Sequence, residues 1–242
     1  VLIDVVSVAG AGVESMTNGF GSRAAPDITD TILESQEADD CLIPMGMTSK
    51  NVTKGFNISR QIQDEFAAKS SQKAAAGQRV VRFKDKIGPI KAMVDPKTEK
   101  EVEIVVDADD SIRDGVAAAS LSKLKQSFSK DGSIHAGNAS QVSDCAATVL
   151  LARRSVAKKL GLHNVGKFVK SAVVGAPPAS WMFGPAFAIP KILDLVGLIK
   201  DEVDFYGINE AFPSQAVFSI RYLKIPVEKA NIRCRFLFFI FE

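Results

Sequence analysis

The chain has 242 residues, 46% of them hydrophobic and 24% charged, with a formal net charge of +2 at neutral pH. That length can bury one large core or two modest ones, and so small and dispersed a charge gives no electrostatic footprint for nucleic acid. Cys41, Cys145 and Cys234 are too widely spaced to imply a disulfide framework, and the only histidines, His135 and His163, stand at no metal-ligand spacing, which argues against a zinc site.

Taken in chain order, the apolar run at 1–9 predicts a buried strand rather than a secretory signal. It leads into the glycine-rich stretch AGAGVESMTNGFGSRAAPD. This begins like a dinucleotide fingerprint, but Ser15 stands at the third glycine position and no βαβ unit follows. A tight turn off a strand is the better reading, and a nucleotide-binding oxidoreductase is set aside. A helix is predicted over 30–38. A stronger one starts after Ser59 as N-cap, with Ile58, Ile62 and Phe66 at four-residue spacing, and stops at Gly77. IGPIKAMVDPKTEKEVEIVV predicts two strands joined by a turn at Asp95-Pro96-Lys97. AATVLLARR predicts a buried strand, followed by a short helix to Gly161. NVGKFVKSAVVG predicts another strand, and GPAFAIPKILDLV a helix entered through Pro185. A short buried strand at 203–208 and a helix from Ala211 to Leu223 complete the series. From about 143 onward the alternation β-α-β-α-β-α is that of an α/β layered domain, with the irregular, polar stretch 18–142 inserted. The apolar run Phe236 to Phe241 is far short of the roughly 20 residues that span a bilayer. It is expected to be buried or foreign to the fold.

On this reading Asn209 and Glu210 fall where a strand gives way to a helix, the place where layered α/β proteins usually meet ligands. The residues alone leave other roles open. Asn209 is also a good N-cap, the stretch around Ser140 reads as a turn, Phe128 and Phe212 read as core, and Arg113 as a solvated cation.

Seven stretches in one order carry a resemblance: GVESMT at 12–17, DDCLIPMGMTSKNV at 39–52, ISRQIQDEFA at 58–67, LSKLKQSF at 121–128, AGNASQVSD at 136–144, GPAFAIP at 184–190 and INEAF at 208–212. With them the chain, except its last dozen residues, resembles the thiolase family, most closely its peroxisomal 3-ketoacyl-CoA members. The resemblance implies an α/β fold, the thiolase-like layered αβαβα arrangement, incomplete, with an inserted loop domain. Residues 1–17 and 143–163 would be a remnant of the N-terminal thiolase domain, 18–142 the loop domain and 164–242 the first part of the C-terminal thiolase domain. It implies an acyltransferase of fatty-acid β-oxidation working through an acyl-cysteine, with coenzyme A as substrate and no permanently bound cofactor or metal. Asn209 is similar to the residue that holds a water in an oxyanion hole, where a neutral hydrogen-bonder is required, and Glu210 would support it at the helix start. Ser140 and Ala136 resemble residues that meet the pantetheine arm, and Phe128 and Phe212 its aromatic walls. Met45 matches a border of the acyl pocket, and Arg113 a cation near the nucleotide phosphates.

The sequence also departs from the family pattern. The family's nucleophilic Cys would lie before Val1, and its G-H-P histidine and second Cys beyond the point where the resemblance fails, after KAN at 229–231. Cys41 and Cys234 have no matching role. Cys145 stands where the family has Gly, Trp181 and Met182 where a Met and a Gly line the acyl-CoA route, and Pro213 follows the N-E-A-F motif, tolerable in a first helical turn. The expectation is a thiolase fragment inactive alone and poorly soluble because of bare sheet edges. The alternative is a non-catalytic thiolase-like chain that binds acyl-CoA or a full-length subunit. Expected partners are acyl-CoA, coenzyme A and further thiolase chains as a homo-oligomer, with no nucleic acid and no membrane span. A peroxisomal location is inherited from the resemblance, since IFE is not a peroxisomal terminal signal.

Overall fold

The computed structural model describes residues 7–19, 28–94 and 102–231. In chain order the elements are β1 (Ser7–Glu14), α1 (Met16–Gly19), a 3-10 turn Asp30–Glu34, α2 (Gln36–Asp40), α3 (Met45–Gly55), α4 (Arg60–Arg79), β2 (Ile90–Val94), β3 (Val102–Val106), α5 (Ala118–Leu121), β4 (Cys145–Ala152), α6 (Arg154–Lys159), α7 (Gly184–Val196) and α8 (Pro213–Leu223). They form two compact units, Val1–Asp39 with Gln141–Ser171 and Asp40–Ser140 with Ala172–Glu242.

In the first unit β1 and β4 pair antiparallel from Ser7↔Ala152 to Glu14↔Cys145. The strand expected at 1–9, of which 1–6 lie outside the described residues, is found over Ser7–Glu14, and both it and β4, expected to be buried, are exposed throughout. The reason is that a two-stranded ribbon leaves both faces open unless another layer covers it. Gly10 and Gly12 lie inside β1 opposite Val149 and Ala147, so this stretch is ladder, neither the tight turn expected there nor a phosphate-cradling one. Asp144, just before β4, accepts from the Thr17 N–H at 2.7 Å, and this bond holds its carboxyl below the ordinary value of 3.8. The short helix α6 ends as expected, with Gly161 at a φ of 65°. The strand expected at 164–175 is not formed. Val165 is 98% exposed there, and no described strand lies beside it to complete a ladder.

The second unit is built around α4 and α8. Ser59 caps α4, its Oγ accepting from the Ile62 N–H at 3.3 Å. The helix runs past the predicted stop at Gly77 to Arg79, because Gly77 is buried against neighbours and costs less there than breaking the helix. Beyond Gln63 and Asp64 its buried face is a row of small residues, Ala67, Ala68, Ser70, Ser71, Ala74 and Ala75, which lets α5 and α8 approach closely. Helix α8 begins at Pro213, whose fixed φ suits the first helical position, and every residue from Pro213 to Ile220 is buried. One side of α8 packs Val217 and Phe218 with Val52, Ile58, Ile134 and Met182, and the other packs Ala216 and Ile220 with Tyr206, Ile208 and Ile225. The Phe183 and Phe218 rings meet at 4.6 Å between centroids, tilted by 43°. The hairpin β2–β3 pairs Ile90↔Val106 through Val94↔Val102, while the turn predicted at 95–97 lies outside the described residues.

Two further expectations are corrected. The helix at 30–38 is a 3-10 turn and then α2, separated by an extended Ser35. The strand at 203–208 is reduced to one bridge, Tyr206↔Ala230, and the alternating pattern expected after 143 contains one described strand, β4. Tyr206 and Ile208 are buried there while Phe205 is 61% exposed, and the Asn231 side chain takes the Ile208 peptide groups that a neighbouring strand would have used.

Candidate functional site

The junction residues sit differently from the expectation. The N-cap of α8 is Phe212, with no side-chain cap bond, so Asn209 is not a helix cap. Asn209 is half-buried and makes no side-chain hydrogen bond to a described residue. Glu210 lies three positions before α8 and is held by packing and hydrogen bonds rather than by the first helical turn. It is buried, its Oε2 accepts from Ser70 Oγ at 2.5 Å, and its Oε1 accepts from Asn231 Nδ2 at 2.6 Å. The same Asn231 accepts from Ile208 N–H at 2.7 Å and donates to Ile208 C=O at 2.8 Å. Asn231 adopts a φ of 47°, a left-handed conformation that asparagine tolerates better than most residues. Beside this network burial, reinforced by the Asp201 charge, pushes the Tyr206 phenol above its ordinary pKa, and its hydroxyl donates to Lys200 C=O.

Opposite this segment runs the loop 133–140. The Ser140 N–H donates to the Ala211 C=O at 3.0 Å, which joins the loop to the stretch that carries Asn209. Phe128 and Phe212 meet edge to face at 6.5 Å. Phe128 holds a φ of 65° and is 56% exposed, an unfavourable placement for an aromatic residue in both respects. Its ring lies over Gly46, where a Cβ would come within 2.5 Å of Phe128 Cγ, so Gly46 is there for close approach. Met45 opens α3 next to it and is half-exposed, its carbonyl accepting from Thr48 Oγ1 at 2.7 Å. Ala136 is exposed on the loop. A narrow pocket here is lined by Gly46, Met47, Lys50, Phe128 and Ser133.

Ser140, Phe128, Phe212, Met45 and the Asn209–Glu210 stretch are thus brought into one neighbourhood of the second unit. Arg113 is not joined to them by any described contact. It is exposed, between the Asp109–Ser111 turn and Asp114, which pairs with Arg79 at 3.5 Å. Cys41 and Cys145 are exposed, and Cys234 lies outside the described residues. No cluster of metal-ligating side chains and no helix long and apolar enough to cross a membrane occurs among the described residues.

Sequence reasoning missed the polar residues that hold this neighbourhood together. His135 Nε2 and Asp64 Oδ1 lie 2.8 Å apart, and Asn138 Nδ2 donates to the same oxygen at 3.1 Å. Asp64 and Ser70, both on the buried face of α4, therefore anchor the loop and the Glu210 segment to one helix. The one available signal was a set of polar residues at positions where α4 and the loop should be apolar.

Compared with known proteins, the chain matches the profile of the thiolase N-terminal domain over residues 3–155 and that of the thiolase C-terminal domain over 162–235. It is 50% identical over 224 residues to the peroxisomal 3-ketoacyl-CoA thiolase of Yarrowia lipolytica, covering 93% of this chain and 54% of that one. The human peroxisomal 3-ketoacyl-CoA thiolase is 48% identical over 221 residues, covering 91% and 52%. Among solved structures, the dimeric peroxisomal thiolase of Saccharomyces cerevisiae superimposes with a TM-score of 0.87 at 42% identity, over 96% of this chain and 58% of that one. A second structure of the peroxisomal 3-ketoacyl-CoA thiolase of that yeast, described as a five-layered A-B-A-B-A structure, gives 0.70 at 35% identity over 96% and 53%. The chain spans about half the length of the curated relatives it matches. Its fold is the corresponding portion of the layered thiolase αβαβα fold, and the chain belongs to the thiolase family.

Proposed function

We propose that the chain supplies the acyl-CoA-binding part of a thiolase-type acyltransferase of β-oxidation, which converts 3-ketoacyl-CoA and coenzyme A to acyl-CoA and acetyl-CoA. The observation that carries this reading is the Ser140–Ala211 hydrogen bond at 3.0 Å, made beside the Phe128–Phe212 edge-to-face pair. It gathers one polar loop, two aromatic walls and the Asn209 amide, the groups that an apolar arm ending in a thioester needs. Asn209 supplies a neutral donor that orients a water toward the thioester or enolate oxygen. Glu210 fixes the Asn209 backbone through Ser70 and Asn231. Ser140 and Ala136 meet the pantetheine arm, Phe128 and Phe212 wall it, and Met45 borders the acyl end. Arg113 serves the phosphate end. Coenzyme A is a substrate, and no permanently bound group is required of these residues.

The relatives named peroxisomal support a peroxisomal location, and the yeast structure named dimeric supports a homo-oligomer or pairing with a further thiolase chain. Calorimetric titration of the purified chain with coenzyme A and acetoacetyl-CoA tests the reading, with Ser140→Tyr as the variant that fills the proposed arm site. Saturable binding lost in Ser140→Tyr is expected. No heat at about 1 mM ligand, the weak end of measurable affinity, would contradict it.

A further inference from the structure

His135 is 0% exposed and Asp64 2%, and neither has a place in the reading above. The ring's two nitrogens have different partners. Nδ1 accepts from the Gly137 N–H at 3.1 Å, so it carries no proton. The proton of the neutral ring therefore sits on Nε2 and is donated to Asp64 Oδ1 at 2.8 Å. Asn138 closes the same unit: its Oδ1 accepts from the His135 N–H at 2.8 Å, and its Nδ2 donates to Asp64 Oδ1 and to the Ser133 C=O at 2.9 Å. Arg60, one turn earlier on α4, places Nε 3.5 Å from Asp64 Oδ2 and offsets the carboxylate's charge.

These bonds complete a circuit. From Asp64 it passes through His135 and Asn138, along the chain to Ser140, across the Ser140–Ala211 bond, and along the chain through Glu210 back to Ser70 on α4. Asp64 and Ser70 are six residues apart on one rigid helix, about 9 Å along its axis at 1.5 Å per residue. Both sides of the candidate site are therefore referred to one helix, and a shift of the loop relative to the Asn209 segment requires breaking a buried bond to a carboxylate. Such bonds are about twice as strong as neutral ones.

We propose that His135 is a positioning residue: as the Nε2–H tautomer clamped on Asp64, it sets the loop that presents Ala136 and Ser140 to coenzyme A. The proposal rests on the acyl-CoA reading for its ligand but not for its tautomer or its loop geometry. A hydrophobic side chain of similar bulk would fill the same space without holding the loop, whereas a glutamine amide can still donate to Asp64 from nearly the place of Nε2.

The test has two arms. In the imidazole-15N-labelled chain, long-range proton–nitrogen spectra at a pH where the ring is neutral should show an unprotonated Nδ1 and a protonated Nε2 for His135, with exposed His163 as internal reference. The opposite tautomer would overturn the proposal in the native protein, without any variant. In the second arm, at a temperature where circular dichroism shows all chains folded, His135→Gln should bind coenzyme A within about threefold of the native chain, and His135→Met at least about tenfold more weakly and with a lower thermal midpoint. Hydrogen exchange at the Gly137 amide, which loses Nδ1 in both variants, should speed up in both, and exchange at the Ser140 amide should speed up in His135→Met only. Equal coenzyme A affinity in native and Met chains, or unchanged exchange, refutes the clamp. If no chain binds coenzyme A but the tautomer and exchange results hold, the acyl-CoA reading fails and the clamp stands.

Discussion

Asn231→Ala removes the most from the candidate site for one small change. The side chain is 3% exposed and makes three hydrogen bonds, two to the Ile208 peptide and one to the Glu210 carboxylate. The two neutral bonds are worth about 1 kcal/mol each and the bond to a carboxylate about 2, or about 4 kcal/mol together. Water entering the vacated space restores part of this, leaving about 3 kcal/mol. Alanine at a φ of 47° adds about 1 kcal/mol of backbone strain. Asn231→Gly has the same lost bonds without that strain, so the difference between the variants isolates it. For a chain of this size, a loss of about 3–4 kcal/mol lowers the melting midpoint by roughly 6–16 °C. Urea titration followed by circular dichroism gives the stabilities, and exchange at the Ile208 amide reports the local opening. A loss below about 1 kcal/mol in Asn231→Ala would refute the assignment of Asn231 as the residue that fixes the Asn209–Glu210 segment.

Other outcomes follow from single contacts. Gly46→Ala puts a Cβ within 2.5 and 2.6 Å of Phe128 Cγ and Cε2, so the half-exposed ring swings off Phe212. We expect a stability loss near 1 kcal/mol, at the low end for overpacking, and coenzyme A affinity reduced at least several-fold by titration. Asp144 has a carboxyl pKa lowered chiefly by the Thr17 N–H, so its contribution is complete above its ordinary value of 3.8 and is lost as pH falls through the lower folded value. Exchange at the Thr17 amide should therefore accelerate on acidification below that range, and Asp144→Asn should flatten this dependence. Lys224 ends α8 at a φ of 52°, so Lys224→Gly should stabilise the protein by about 0.5–1 kcal/mol in the same urea assay.

What could be read in the sequence was local. The Ser59 cap, the Pro185 helix entry, the stop at Gly161 and the β2–β3 strands depend on residues a few positions apart, and each forms near where it was expected, while the helix expected from Ala211 starts at Pro213. The strands at 164–175 and 203–208 failed because apolar runs report burial or stickiness, whereas a strand also needs a partner from elsewhere in the chain. At 203–208 that partner is the 229–231 stretch, which bonds Tyr206 through its backbone and Ile208 through the Asn231 side chain. The candidate site divides in the same way. Ser140, Phe128, Phe212 and Met45 were marked through motifs, but Asp64, Ser70, His135 and Asn231 hold the loop and the Glu210 segment through pairs up to 140 residues apart, which no local pattern encodes. Glu210 was expected to complement a helix start, but it lies three positions before α8. It ties α4 to the segment after α8 instead of complementing a helix end.

The most direct measurement maps coenzyme A onto the chain by amide chemical-shift perturbation. Titration should move the Asn209 side-chain amide and the Ser140, Ala136 and Phe128 backbone amides together, with one saturating affinity, and leave Thr17 and Ala147 in the other unit in place. Saturable binding that moves only residues outside this set, or no shift at all, would contradict the assignment of this neighbourhood to an acyl-CoA ligand.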